Sequence, residues 1–385
     1  MNKRRRIQLL IDFSVPLLFG LVAALLCTNF LPSQYDLIVY GKLFNFCSLH
    51  GFINDIFMAF FFGIVTVEIV QSLQPGGDLY PVKSAFNSLI SAFGGVVCPA
   101  LIYYGLNTII GSPELIHGWG IPTATDIALA WLAARFIFGS KHPAVKFLLV
   151  LAIADDAIGL FIIAVFYPDP THPVKPVFLI LVAIGMTAAY MFRRMKVKTY
   201  LPYIFFGGTL CWLGLFLTHL HPALALCFVV PFLPSEKIEH KSMFEESKKE
   251  KSPLSMFEHH FRIFVELGLF FFGFSSAGVG FSQFGTATIL VFTALLFGKT
   301  IGVFTFSNLA SICGFKRPKG IDNRTMLSVS IVAAMGLTVS LFISESAFPG
   351  NIAAVNAAKM GALISSFAGV IAFFVYRILH KEKNK

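Results

Sequence analysis

The chain has 385 residues, 56% hydrophobic and 13% charged, with a formal net charge of +10. Soluble domains carry about 25% charged residues, so this composition, with a mean hydropathy of +0.76, excludes a water-soluble enzyme and describes an all-α, multi-pass membrane protein. The basic excess does not mark a nucleic-acid binder, because Lys and Arg fall in short clusters between apolar runs, as in loops held on one side of a membrane.

Apolar runs long enough to cross ~30 Å of hydrocarbon, about 20 residues each, recur along the whole chain. Twelve spans are read, beginning near Leu9, Phe52, Ala85, Ile121, Ala144, Val174, Tyr200, Pro222, Glu258, Ala287, Thr325 and Ile352. The first follows Lys3-Arg4-Arg5-Arg6 and reads as an uncleaved span rather than a signal peptide, since further spans follow it. Between Pro32 and His50 the stretch QYDLIVYGKLFNF alternates aromatics around Tyr40-Gly41, which suggests a short β-hairpin. Such a ribbon is marginal alone and would pack on something, such as a second protomer.

Span four, GWGIPTATDIALAWLAARF, contains Pro122, which removes a backbone donor, and Thr123, Thr125 and Asp126, which compete for backbone groups. The helix is expected to break there. Span five, FLLVLAIADDAIGLFIIAVF, has Asp155 and Asp156 near its midpoint as its only charges. The polar stretch from Ser235 to Pro253 mixes both signs and reads as a cytoplasmic linker, placed at residues 235–257. Span ten carries Lys299 in VFTALLFGKTIGVF, and span eleven, VSIVAAMGLTVSLFISESAF, places Gly336, Thr338 and Ser340 at its middle. Paired interruptions in two halves of a chain point to inverted-topology repeats. Residues 85–167 and 287–379 are the groups so placed, within a single transporter domain over 1–385. With the N-terminus inside, 26 of the 30 Lys and Arg fall in inside regions, which puts both termini in the cytoplasm.

Each intramembrane carboxylate opposes insertion by about 2.5–3.5 kcal/mol. Two adjacent ones therefore read as a site that binds a cation or relays protons, against the plainer reading of carboxylates neutralised for structural reasons. Half-helix ends inside the membrane present partial charges. Asp126 has the right sign for the N-termini, and Lys299 is the other deeply placed ion. Asp126, Asp155, Asp156 and Lys299 thus form a polar cluster from spans four, five and ten. On a helix Asp155 and Asp156 point about 100° apart, so one can face Lys299 while the other faces a water-filled cleft. Six scattered cysteines with no CxxC pair read as small hydrophobes rather than a metal site.

The stretches GWGIPTATDIALA, LAIADDAIG, LLFGK and MGLTVSLFI resemble the NhaA-type sodium/proton antiporters, in order, over most of the chain. The resemblance implies that Asp155 and Asp156 take Na+ or Li+ and the protons. It implies that Lys299 pairs with the first aspartate, and that Asp126 balances the crossed half-helices with Thr125 beside them. It also implies electrogenic exchange for sodium and pH homeostasis in a bacterial inner membrane, a homodimer built through an outside hairpin, and a cytoplasmic funnel that senses pH. The last role falls on Glu68, Glu258 and His259. Gln71 and Ser72 replace the family's charged continuation after VTVEI, Glu266 lies where the family is usually apolar, and Ala334 stands where glycine is usual. The first departures touch the funnel and so bear on regulation more than on exchange.

Two other readings compete with this one. A sodium-coupled organic-anion carrier on a related scaffold would need donors for its anion, and Lys299 alone offers one. An intramembrane aspartyl protease would need a GxGD signature, which the sequence lacks. No enzymatic activity, cofactor or nucleic-acid partner is expected; Na+, Li+, H+ and the lipid bilayer are.

Overall fold

A computed structural model describes residues 15–43, 47–80, 82–168, 173–235 and 252–381. The start of the first span near Leu9 and most of the linker after Ser235 lie outside these residues. In chain order the helices are α1 (Val15–Phe30), α2 (Pro32–Tyr40), α3 (Leu49–Leu73) and α4 (Val82–Ile110). A 3-10 stretch, Pro113–Thr123, precedes α5 (Ile127–Phe138), which is followed by α6 (Pro143–Phe166), α7 (Pro176–Arg194), α8 (Tyr203–Thr218) and α9 (Pro222–Phe232). The remainder are α10 (Pro253–Ser276), α11 (Thr286–Ile312), α12 (Asn323–Ala333), α13 (Thr338–Ala347) and α14 (Ile352–His380).

Six of these, α3, α4, α6, α7, α11 and α14, are long and apolar enough to cross a bilayer, and the two bent pairs bring the number to eight. The pairs are Pro113–Thr123 with α5, bent by 53°, and α12 with α13, bent by 49°. They are the interruptions expected in spans four and eleven. Of the other four spans read from the sequence, α1, α8 and α9 are apolar but shorter, and α10 carries Glu258, Arg262 and Glu266. The multi-pass membrane character is plain, and among the described residues length and apolarity alone mark up to eight of the twelve expected spans.

Caps mark the helix ends. Ser252 accepts from the Ser255 N–H at the start of α10, with Pro253 next, so this helix starts five residues before the expected Glu258. Asn351 accepts from the Ala354 N–H at the start of α14. Gly139, at φ +87°, closes α5 in a conformation that side-chain-bearing residues avoid. The expected hairpin between Pro32 and His50 is mostly helix. Residues 32–40 form α2, and the strand pairing is a two-residue antiparallel ladder, Lys42 with Ser48 and Leu43 with Cys47. Among the described cysteines Cys211 is buried and Cys313 is exposed in the loop after α11, while Cys27, Cys98 and Cys227 are half-buried. Cys98 packs against Gly302 of α11, and the Cys227 thiol donates to the Phe62 carbonyl at 3.8 Å.

Two compact units divide the chain, one of Met1–Gly77 with Leu160–Gly278 and the other of Asp78–Gly159 with Val279–Lys385. In the second unit α4 and α11 run at close range. A Cβ on Gly298 would meet the Pro99 Cα at 2.7 Å, and one on Gly302 would sit on the Gly94 carbonyl. Only glycine permits that approach, and it brings the middle of α11 up to the broken helices. Below it, the Asn87 side-chain amide donates to the Ser307 and Phe315 carbonyls and to the Ser311 hydroxyl, tying the ends of the same two helices together. In the first unit α1 packs along α10, and the Tyr35 hydroxyl of α2 donates to the Phe274 carbonyl at 2.6 Å.

Candidate functional site

The second unit brings together Thr125, Asp126, Asp155, Asp156 and Lys299. Each is at most 6% exposed. Lys299 and Asp155 form an ion pair, Nζ to Oδ2 at 2.9 Å, with both side chains wholly buried. The same Nζ donates to the Thr123 carbonyl at 2.6 Å. That carbonyl ends the 3-10 stretch before the break, so the lysine cation sits on a backbone end that carries partial negative charge. Lys299 itself closes a single π turn, Ala294–Lys299, inside α11. Such bulges re-aim a side chain within an otherwise regular helix.

The opposite ends are served by Asp126. Its Oδ1 accepts from the Leu129 N–H at 2.9 Å, capping α5, and its Oδ2 accepts from the Thr338 N–H at 3.4 Å, at the first residue of α13. Its own N–H donates to the Met335 carbonyl at 2.7 Å, across the two breaks. One carboxylate therefore faces two half-helix N-termini, each of which carries partial positive charge. Further ties hold the crossing: the Ser340 hydroxyl donates to the Ile121 carbonyl at 2.7 Å, and the Ser365 hydroxyl accepts from the Gly336 N–H at 3.2 Å. A Cβ at Gly336 would lie 2.9 Å from the Ala124 carbonyl oxygen and 2.7 Å from Leu295 Cδ2, so the crossing admits no side chain there.

Thr125 stands between the two sets. Its hydroxyl lies 2.7 Å from Asp155 Oδ2 and 2.8 Å from the carbonyl of Ala333, the last residue of α12. A hydroxyl has one proton, so the carboxylate and the helix end compete for it. Asp155 Oδ1 is buried with no hydrogen-bond partner among the described residues. Asp155 thus uses one oxygen for Lys299 and Thr125 and keeps the other available, which suits a group that alternately carries a proton or touches a cation. Among the described residues no three or more His, Cys, Asp or Glu side chains gather as a metal site. A sodium ion here would draw on two carboxylates together with neutral oxygens.

The residues expected to sense pH belong to the first unit. The Gln71 amide donates to Glu258 Oε2 at 2.7 Å, and Arg262 Nε pairs with Glu266 Oε1 at 3.0 Å, one turn on. Glu68 is half-buried and feels the charges of both Glu258 and Arg262. His259 is exposed, with its ring 5.9 Å from that of His260. Two departures from the family pattern are therefore accommodated locally, Gln71 by Glu258 and Glu266 by Arg262.

One partly buried ion pair left no reading in the sequence: Lys359 Nζ of α14 lies 2.7 Å from Glu345 Oε1 of α13. Glu345 is the one carboxylate in the apolar span-eleven stretch VSIVAAMGLTVSLFISESAF, the same signal that singled out Asp155 and Asp156. The Thr123 carbonyl and the π turn before Lys299 left no such signal, because backbone groups are common to every residue.

Comparisons with known proteins show the family. The model of the family described as Na+/H+ antiporter 1 matches residues 12–376. A Na(+)/H(+) antiporter NhaA of Desulfitobacterium hafniense is 52% identical over 386 residues, covering 100% of this chain and 98% of that one. Its namesake in Geobacter sulfurreducens is 51% identical over 380 residues, with 99% of each chain covered. The solved structure of the sodium proton antiporter MjNhaP1 from Methanocaldococcus jannaschii covers 94% of this chain and 92% of its own at a TM-score of 0.52. At 12% identity that likeness is one of fold. From the first described helix to the last, the chain belongs to the Na+/H+ antiporter 1 family.

Proposed function

We propose that the protein exchanges cytoplasmic Na+, or Li+, for external H+ across a bacterial inner membrane, with Asp155 and Asp156 as the shared site for cation and protons. The observation that carries this reading is a pair of adjacent aspartates at membrane depth, one of them held by a buried lysine where two broken helices meet. Sodium is drawn to ionised oxygens, so it occupies the pair when protons have left it, and protons expel it when they return. The two carboxyls and Lys299 titrate as one coupled unit. Alternate exposure of this site to the two sides completes the exchange. Release of more than one proton per sodium makes the cycle electrogenic. The organic-anion reading fits less well, because Lys299 is already engaged by Asp155 and the Thr123 carbonyl.

The Lys and Arg asymmetry supports cytoplasmic termini, which labelling of the 193–198 loop by an impermeant amine reagent applied from outside intact cells would refute. Glu68, Glu258 and His259 remain the candidates for pH regulation, and the outside segment before α3 the candidate for joining a homodimer. The test of exchange is sodium-driven pH change in proteoliposomes holding the purified protein. Added Na+ or Li+ should dissipate an imposed pH gradient, and choline should not. Sodium-dependent uptake of an organic anion without proton movement would overturn the reading.

Asp126 is proposed to stabilise the crossing rather than to touch the transported ion. Asparagine at this position keeps one acceptor oxygen, turns an amide NH2 toward the second N–H, and removes the charge that both helix ends face. Leaving a buried donor unmatched costs about 1–3 kcal/mol. Asp126→Asn is therefore expected to lower thermal stability in detergent and weaken apparent sodium affinity while some exchange survives. Loss of sodium binding as complete as that from altering Asp156 would sink this division of roles.

A further inference from the structure

A second polar region of the same unit lies at its loop end, apart from the aspartates. A cavity of about 640 Å³ opens there between the loop joining α11 to α12, the α5–α6 turn and the end of α14. Its lining includes His142, Lys316, Arg317, Lys319, Asp322 and His380, so three permanent cations outnumber one carboxylate. Cavities of roughly 300–1,000 Å³ are the size that encloses small organic ligands.

Arg317 is not a loose surface arginine. Its Nε donates to the Ser307 hydroxyl at 2.7 Å and its Nη1 to the Asn323 side-chain oxygen at 2.7 Å. Ser307 is in turn bonded to Asn87 Oδ1 at 2.7 Å. The guanidinium is thus fixed by neutral partners, and its Nη2 is buried with no acceptor among the described residues. Burial works against the Arg317 charge, with Asp322 opposing that effect. A buried donor without an acceptor is a cost that native structures rarely leave unmet, and planar, rigidly held guanidinium groups suit phosphate oxygens.

His142 adds a donor. Its Nδ1 accepts from the Ala144 N–H at 3.2 Å, which leaves Nε2 as the nitrogen bearing hydrogen in the neutral ring. Burial and the neighbouring His380 push its pKa below the ordinary value, against Asp322. On the far wall the Tyr376 ring lies 4.1 Å from that of His380, centroid to centroid. This tilted pair of rings lines the cavity together with the cations.

We propose that this cavity binds a phosphate-bearing anion, either the headgroup of an anionic phospholipid or a soluble organic phosphate. The proposal does not rest on the exchange chemistry, since none of its residues belongs to the aspartate cluster.

The test uses the full-length protein in neutral detergent. Thermal melting is followed while inorganic phosphate is added, and in parallel while dioleoyl-phosphatidylglycerol or dioleoyl-phosphatidylcholine is added to the micelles. Sodium chloride at matched ionic strength is the control. Stabilisation by phosphate without a preference between lipids assigns a soluble ligand. Stabilisation by phosphatidylglycerol over phosphatidylcholine assigns a lipid headgroup. In either case Arg317→Gln should weaken the apparent affinity by about tenfold or more, the effect of losing roughly 1.4 kcal/mol of contact. Because Arg317 also ties two helix ends, the exposed Lys316→Gln/Lys319→Gln pair serves as the second variant. It should fold normally, retain sodium-driven proton exchange and lose the stabilisation. Equal shifts with sodium chloride, no shift with any probe, or an unchanged shift in the double variant would overturn the proposal.

Discussion

Asp156→Asn is expected to abolish sodium-driven proton movement in proteoliposomes while the protein still folds. Asparagine is close to isosteric and keeps an oxygen, so the packing around this nearly buried position is little disturbed. What disappears is a charged ligand and a titrating group together. A transported cation then meets Asp155, whose charge is already matched by Lys299 at 2.9 Å, while the Asp126 carboxylate is engaged by the two half-helix N-termini. At sodium concentrations well below saturation the rate should fall by more than about a hundredfold, the effect of removing some 2.7 kcal/mol of transition-state stabilisation. Raising the pH should not rescue the variant, because the missing group cannot be restored by deprotonation. Wild type should instead respond to acidification by a rise in the sodium concentration for half-maximal rate, as protons compete for the same oxygens. A near wild-type rate in correctly folded Asp156→Asn protein would show that the aspartate pair is not the ion site.

The sequence showed the breaks and the charges but not what holds them together. Pro122 and the run of Thr123, Thr125 and Asp126 mark one interruption, Gly336 and Ser340 the other, and the helices bend at both. The intramembrane charges were legible because each carries an insertion penalty that chance would not tolerate. Their partners were not, where those partners are backbone: the Thr123 carbonyl under Lys299, the Thr338 N–H on Asp126 and the Ala333 carbonyl beside Thr125 are invisible in side-chain identity. Gln71 with Glu258 was hidden by a separation of 187 residues.

The hairpin expected around Tyr40-Gly41 is present but shorter and displaced, pairing Lys42–Leu43 with Cys47–Ser48. In QYDLIVY, Tyr35, Leu37 and Val39 are spaced by two as on one strand face, but Tyr35 and Val39 also lie four apart and are the two buried residues of α2. Pro32 at the first turn suits a helix start, and the ladder is left with two residues per strand. Over so short a run, periods of two and of 3.6 compete on nearly equal terms, and packing decides.

Lys299→Met is expected to be the most destabilising single change in the second unit. Methionine fills similar volume but leaves the Asp155 carboxylate buried without its cation, and the Thr123 carbonyl without its donor. Breaking a buried pair by removing one partner costs about 3–5 kcal/mol, whereas replacing both partners by neutral groups is often tolerated. The double variant Asp155→Asn/Lys299→Met should therefore recover most of the stability that Lys299→Met loses, a coupling that a thermal-melting cycle in detergent reads directly. Acid works in the same direction: below the pH at which Asp155 takes up a proton, the single variant no longer buries an uncompensated charge, so its deficit should shrink as the pH falls. Transport separates the two partners further. Lys299→Met retains Asp155 and Asp156 and so should still bind sodium when it folds, but with the buried cation gone the charge moved per cycle must change. Measured as current and proton flux in the same liposomes, an unchanged stoichiometry together with wild-type stability would remove Lys299 from both roles.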